Sequence, residues 1–167
     1  YYNRFYFVHP DGAVQHYDKK HLFTFGGEHK RFTAGTERVV VNFRGVRILL
    51  EVCYDLRFPV WSRNLGDYDM ILYVASWPTP RVDAWSALLR ARAIENQCYV
   101  AGVNRMGTDP ACEYSGGSAI IDPYGKTIAE CPWSRESAVS ADIDMEALQA
   151  FRKKFPVLDD ADPFTLI

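Results

Sequence analysis

The chain has 167 residues, 48% hydrophobic and 24% charged, and its 19 Lys and Arg against 21 Asp and Glu leave a formal net charge of −2. A chain of this length buries roughly 70% of its unfolded surface, so a single core and one domain over residues 1–167 are expected. No basic stripe suits a phosphate backbone, and no apolar run approaches the roughly 20 residues of a membrane-spanning helix, so neither nucleic acid nor a bilayer is an expected partner.

In chain order, residues 4–8 and 13–17 flank the turn signal Pro10-Asp11-Gly12, which predicts an early hairpin whose exit delivers Lys19. Residues 39–43 and 46–52 flank Arg44-Gly45 as a second hairpin that ends at Cys53. Pro59 suits the first turn of a helix through about residue 65, and 69–75 reads as a strand buried on both faces. A helix over 83–97 and a strand over 98–104 complete a βαβ unit and predict an α/β sheet. Strands over 117–121, 126–129 and 138–143 are expected to close that sheet. Asp144 is placed to cap a final helix through Lys153, which Phe155-Pro156 ends. The acidic tail, 159–164, reads either as an extended arm or as a solvated terminus.

The chemistry centres on residues 48–59, Ile-Leu-Leu-Glu-Val-Cys-Tyr-Asp-Leu-Arg-Phe-Pro, where Cys53 ends an apolar run and opens a polar turn. A thiol there would sit above a sheet edge, with backbone N–H groups and a helix N-terminus nearby to favour the thiolate. Taken alone, the residue reads more readily as a buried structural cysteine. Cys98, Cys112 and Cys131 form no Cys-x-x-Cys pair with it and no His stands at ligand spacing, so no metal site is expected; four cysteines allow a disulfide framework on count alone, but the apolar content is ample for a fold without such staples. Cys98 reads as core, and Cys112 and Cys131 fall in loop-like sequence near proline. A nucleophilic thiol needs to stay reduced, which favours a cytoplasmic setting.

Upstream stands Lys19-Lys20-His21-Leu22-Phe23, followed by Glu28, Phe32 and Gly35. Together with Cys53-Tyr54-Asp55-Leu56-Arg57-Phe58-Pro59, with Arg90 to Gln97, Val103-Asn104-Arg105, Tyr114 to Ser118 and Asp122 to Gly125, this segment resembles the nitrilase, or carbon–nitrogen hydrolase, superfamily. The run from Val52 to Asn64 is most similar to the ω-amidase branch, whose members hydrolyse 2-oxo acid monoamides.

The resemblance implies a four-layer α-β-β-α sandwich, of which this chain supplies the later strands and helices. It implies Cys53 as nucleophile, and Lys19 with the Tyr54 backbone N–H as oxyanion stabilisers. Glu28 is the carboxylate that orients the lysine and assists proton transfer. The family's general-base glutamate lies well upstream of the lysine, and residues 1–18 contain no glutamate. The chain is therefore expected to be the family domain without its N-terminal part.

Lys20 competes with Lys19 on composition, and the family's Lys-x-His spacing selects Lys19. A Cys–His pairing with His21 is the competing mechanism, whereas the resemblance makes His21 a positioning residue. Asp55 and Arg57 are expected to brace the turn, Trp77 and Arg57 to wall the substrate pocket, and Arg92 and Glu95 to form a structural ion pair. Arg57, Arg81 and Arg105 are possible partners for a substrate carboxylate. A small-molecule amide, no cofactor and a homodimer or larger homo-oligomer are implied. A nitrilase, a carbamoyl amidase or a non-catalytic binding module are the other readings.

Overall fold

A computed structural model describes residues 1–165. Both hairpins form where the turn signals stand. Strands β1 (Arg4–Val8) and β2 (Val14–Asp18) pair antiparallel from Arg4 opposite Asp18 to Val8 opposite Val14. The Arg4 guanidinium closes the open end on the Asp18 carboxylate with contacts of 2.6 and 2.8 Å. This ribbon stays separate from the main sheet. Strands β3 (Val40–Phe43) and β4 (Val46–Val52) are joined by Arg44 and Gly45, both at positive φ (51° and 82°), as a tight two-residue hairpin turn requires.

The main sheet adds β5 (Met70–Ala75), β6 (Tyr99–Asn104), β9 (Ala119–Ile121) and β10 (Thr127–Glu130), in the spatial order β10-β9-β6-β5-β4-β3. Its centre, β4-β5-β6, is parallel, and helix α2 (Val82–Glu95) makes the crossover from β5 to β6. Side-chain alternation sorts the strands between two cores. Leu49, Ile71, Tyr73 and Val100 face α2 through Trp85, Leu89 and Ala93. Ile48, Leu50, Met70, Tyr99 and Ala101 face Phe5, Tyr17, Trp61 and Leu148. Leu148 belongs to the last helix, α3 (Met145–Lys154), whose N-cap Asp144 accepts from the Ala147 N–H at 2.8 Å as expected.

Two expectations need correction, and one element is new. Residues 138–143 form no strand: they run extended and mostly exposed, with no neighbouring strand to pair with among the described residues. The helix expected over 59–65 is the single turn α1 (Pro59–Ser62). Asn64 ends it by turning its side chain to backbone partners, the Gly66 N–H and the Tyr68 and Asn96 carbonyls. A short hairpin of β7 (Met106–Thr108) and β8 (Glu113–Ser115), absent from the sequence reading, stands apart from the main sheet. The tail begins with a 3₁₀ turn, Val157–Asp160, and brings Phe164 beside Arg38, Val60 and Arg63.

Candidate active site

Strand β4 stops at Val52, and Cys53 takes a left-handed backbone (φ 49°) that is strained for a side chain with a Cβ. The chain then winds through a 3₁₀ turn, Cys53–Arg57, and a cavity of about 490 Å³ opens in front of it. Lys19, Glu28, Cys53, Tyr54, Arg57 and Trp77, assembled from the exit of β2, the following loop, the β4 turn and the exit of β5, all line this one cavity. The Cys53 Sγ lies 3.9 Å from the Ser76 carbonyl just past β5.

Lys19 is 3% exposed, and its Nζ donates to the Glu28 Oε2 at 2.6 Å. Glu28 is hydrogen-bonded on both oxygens: the Phe23 N–H also reaches Oε2 at 2.6 Å, and the Asn3 amide reaches Oε1 at 2.8 Å. Burial pushes this carboxyl up, but the Lys19, Phe23 and Asn3 donors outweigh it and hold it below the usual carboxylate range. Glu28 is therefore a fixed anion clamping Lys19. Lys20 goes elsewhere, its Nζ 5.2 Å from the centre of the Trp61 ring.

Asp55, fully buried, ties the two halves together. Its Oδ2 accepts from the Tyr17 hydroxyl at 2.9 Å and the Val52 N–H at 3.1 Å, and its Oδ1 contacts the His21 N–H and Nδ1, each at 2.8 Å. The bracing role expected for Arg57 is not seen. Its guanidinium stacks 4.9 Å from the centre of the Trp77 ring and makes no side-chain hydrogen bond among the described residues. The turn is braced instead by Arg92, which is 3% exposed, donates to the Leu56 carbonyl and pairs with Glu95 at 2.8 Å.

The thiol itself departs from expectation. Burial pushes the Cys53 thiol above the ordinary thiol range, and the Lys19 ammonium pulls the other way without cancelling it. The elements after Cys53 are a 3₁₀ turn and a four-residue helix, too short to supply the dipole that the sequence reading invoked.

Trp77 is 3% exposed and held by its backbone: the Asn104 side chain accepts from its N–H at 2.7 Å and donates to its carbonyl at 3.0 Å. Asn104 stands in a motif that carried no assigned role. Cys112 and Tyr114 also line the cavity and were missed, because the β7–β8 hairpin that delivers them shows no periodicity in sequence. Arg105 lies outside the lining, exposed, 3.8 Å from Asp109 and stacked on Tyr114. Among the described residues, no three His, Cys, Asp or Glu side chains cluster so as to hold a metal ion, and no helix is long and apolar enough to cross a membrane.

A cysteine at a strained strand exit, facing a buried lysine–carboxylate pair at the end of a parallel α/β sheet, defines a thiol-centred α/β sandwich. Residues 1–153 match the family model described as carbon-nitrogen hydrolase, and the chain belongs to that family. The omega-amidase YafV of Escherichia coli K12 is 55% identical over 165 residues, covering 98% of this chain and 64% of that protein. The 2-oxoglutaramate amidase of Bacillus subtilis is 41% identical over 162 residues, covering 95% and 62%. The crystal structure of XC1258 from Xanthomonas campestris, described as a CN-hydrolase superfamily protein with an arsenic adduct in its active site, superposes with a TM-score of 0.95 at 48% identity, over 99% of this chain and 65% of that one. The chain thus spans just under two thirds of the length of these relatives. The fold is the nitrilase-type α/β sandwich, of which the described residues build a six-stranded sheet and the helix over one face.

Proposed function

We propose that the protein hydrolyses the terminal amide of a small 2-oxo acid monoamide such as 2-oxoglutaramate, releasing ammonia. The observation that carries this reading is the convergence of Cys53 with the buried Lys19–Glu28 pair on one cavity, in a chain more than half identical to an omega-amidase. Cys53 Sγ attacks the amide carbon, and the developing oxyanion is met by the Lys19 ammonium and the Tyr54 backbone N–H. The C–N bond breaks, the thiol's proton leaves with the nitrogen as ammonia, and a Cys53 thioester remains. Water cleaves the thioester to the free acid and restores S–H.

Glu28, already accepting from three donors, orients Lys19, and the family resemblance implies an upstream glutamate as the base that carries the proton. Trp77 and Arg57 wall the acyl pocket. We further infer a homo-oligomer working in the cytoplasm, where the four free cysteines stay reduced.

The substrate class is tested by following ammonia release from a panel of 2-oxoglutaramate, a simple nitrile and an N-carbamoyl amino acid. Turnover of the first, at a kcat/KM at least 100-fold above the others, supports the reading; preference for either of the others replaces it with a nitrilase or carbamoyl amidase.

A further inference from the structure

The cavity carries more positive charge than its chemistry uses. Lys19 is neutralised by Glu28, yet two further cations, Arg57 and Arg81, line the same space. Neither has a carboxylate within ion-pairing distance among the described residues. Glu28 is the one acidic side chain in the lining. Both guanidinium groups are partly exposed, and two such cations without a carboxylate partner give the pocket a positive field that suits an anion.

Arg81 is the better placed of the two to be a fixed anchor. It follows Trp77-Pro78-Thr79-Pro80, in which two prolines restrict the backbone, and its loop is pinned twice: its carbonyl accepts from the Trp77 indole N–H at 2.7 Å, and its N–H donates to the Pro78 carbonyl at 3.0 Å. Its guanidinium lies 5.5 Å from the centre of the Phe23 ring, and the Phe23 N–H donates to the same Glu28 oxygen that holds Lys19. One continuous set of contacts therefore runs from the lysine beside the nucleophile to Arg81. A stacked guanidinium keeps its edge donors free for a two-pronged grip on a carboxylate, and pre-positioning lowers the ordering cost of that grip.

We propose that Arg81 is a specificity-determining residue, binding the substrate's carboxylate and so selecting acid amides over neutral ones. This inference rests on the proposed amidase reading, and the test separates the two. Binding of 2-oxoglutarate, the expected product, is measured by calorimetry in the Cys53→Ala background, where no turnover intrudes. Arg81→Ala is expected to weaken that binding about 10- to 100-fold, the range for losing a charge-assisted pair, and Arg81→Lys to fall between.

In the active protein, Arg81→Ala is expected to raise KM for 2-oxoglutaramate to the same extent while kcat changes less than about threefold, with kcat/KM for butyramide unchanged. Unaltered 2-oxoglutarate binding in Arg81→Ala, no binding even with Arg81 present, or equal losses on the acid and the neutral amide would overturn the inference. Carboxylate binding that depends on Arg81, without Cys53-dependent ammonia release, would instead leave the anchor standing and remove the amidase reading.

Discussion

The Oδ1 of Asp55 lies 2.8 Å from both the backbone nitrogen and the ring Nδ1 of His21, so one buried carboxylate fixes the loop leaving β2 against the turn that carries Cys53. The His21 ring is held flat on Phe58, 3.8 Å between centres and 7° between planes. Lys19 is two residues from His21 and Cys53 two from Asp55, so this contact sets how the cation meets the thiol.

Asp55→Asn should therefore damage position as well as stability. Asn offers one acceptor oxygen and would turn an NH₂ toward groups that now donate. The fold should lose about 2–4 kcal/mol, measured by urea denaturation. At a pH and temperature where the variant is still folded, kcat should fall at least tenfold.

Lys19→Ala removes the charge proposed to meet the oxyanion and leaves Glu28 a partly buried anion with two donors in place of three. The loss of one such donor costs about 10²–10³ in kcat in comparable sites. Glu28→Gln is expected to be milder, because the amide oxygen still accepts from Lys19, and a kcat within tenfold of the parent would separate orientation from proton transfer.

Two carboxyl groups, the partly buried Glu28 and the fully buried Glu51, pull the pH profile in opposite directions. Glu28 is held below its unfolded value, so its contribution to stability is complete above the ordinary carboxylate range and lost as the pH falls through its depressed value. Glu51, fully buried with Oε1 unpartnered among the described residues and Oε2 accepting from the Ser62 hydroxyl at 2.9 Å, is pushed from 4.5 up to about 8 by burial and then by the Asp55 charge. Between those values the folded state holds a proton that the unfolded chain releases, so stability falls as the pH rises from 4.5 toward 8. Glu51→Gln should gain on the parent across that interval, read from urea midpoints at pH 5 and pH 8.

Gly35 is required by a close approach. A Cβ there would stand 2.0 Å from the Asp18 carbonyl oxygen, and the Gly35 N–H donates to the Lys19 carbonyl at 2.9 Å. Backbone cannot yield as a side chain tip can, so Gly35→Ala should shift the Lys19 segment, destabilise by about 1–3 kcal/mol and lower kcat. Comparing its urea midpoint and kcat with those of Thr33→Ala checks the claim.

The elements built on local signals were legible: Pro10-Asp11-Gly12 and Arg44-Gly45 mark their hairpins, and the apolar run at 69–75 marks β5. What failed depends on distant neighbours. The alternation at 138–143 looks like a strand, but a strand needs a partner edge, and the strands β7 and β8, three residues each, are too short to show a period. At the site, Cys53, Lys19 and Glu28 could be picked out by motif, whereas the Asn104 clamp on Trp77 joins residues 27 apart. The burial of the Cys53 thiol was not legible for the same reason: it is set by the whole fold.

The most direct test of the central claim is ammonia release from 2-oxoglutaramate by the parent protein and by Cys53→Ala, with matched circular dichroism spectra to show that both are folded. The account predicts steady release by the parent and a fall of at least 10³-fold in the variant. Comparable release by the two, with both folded, would contradict it.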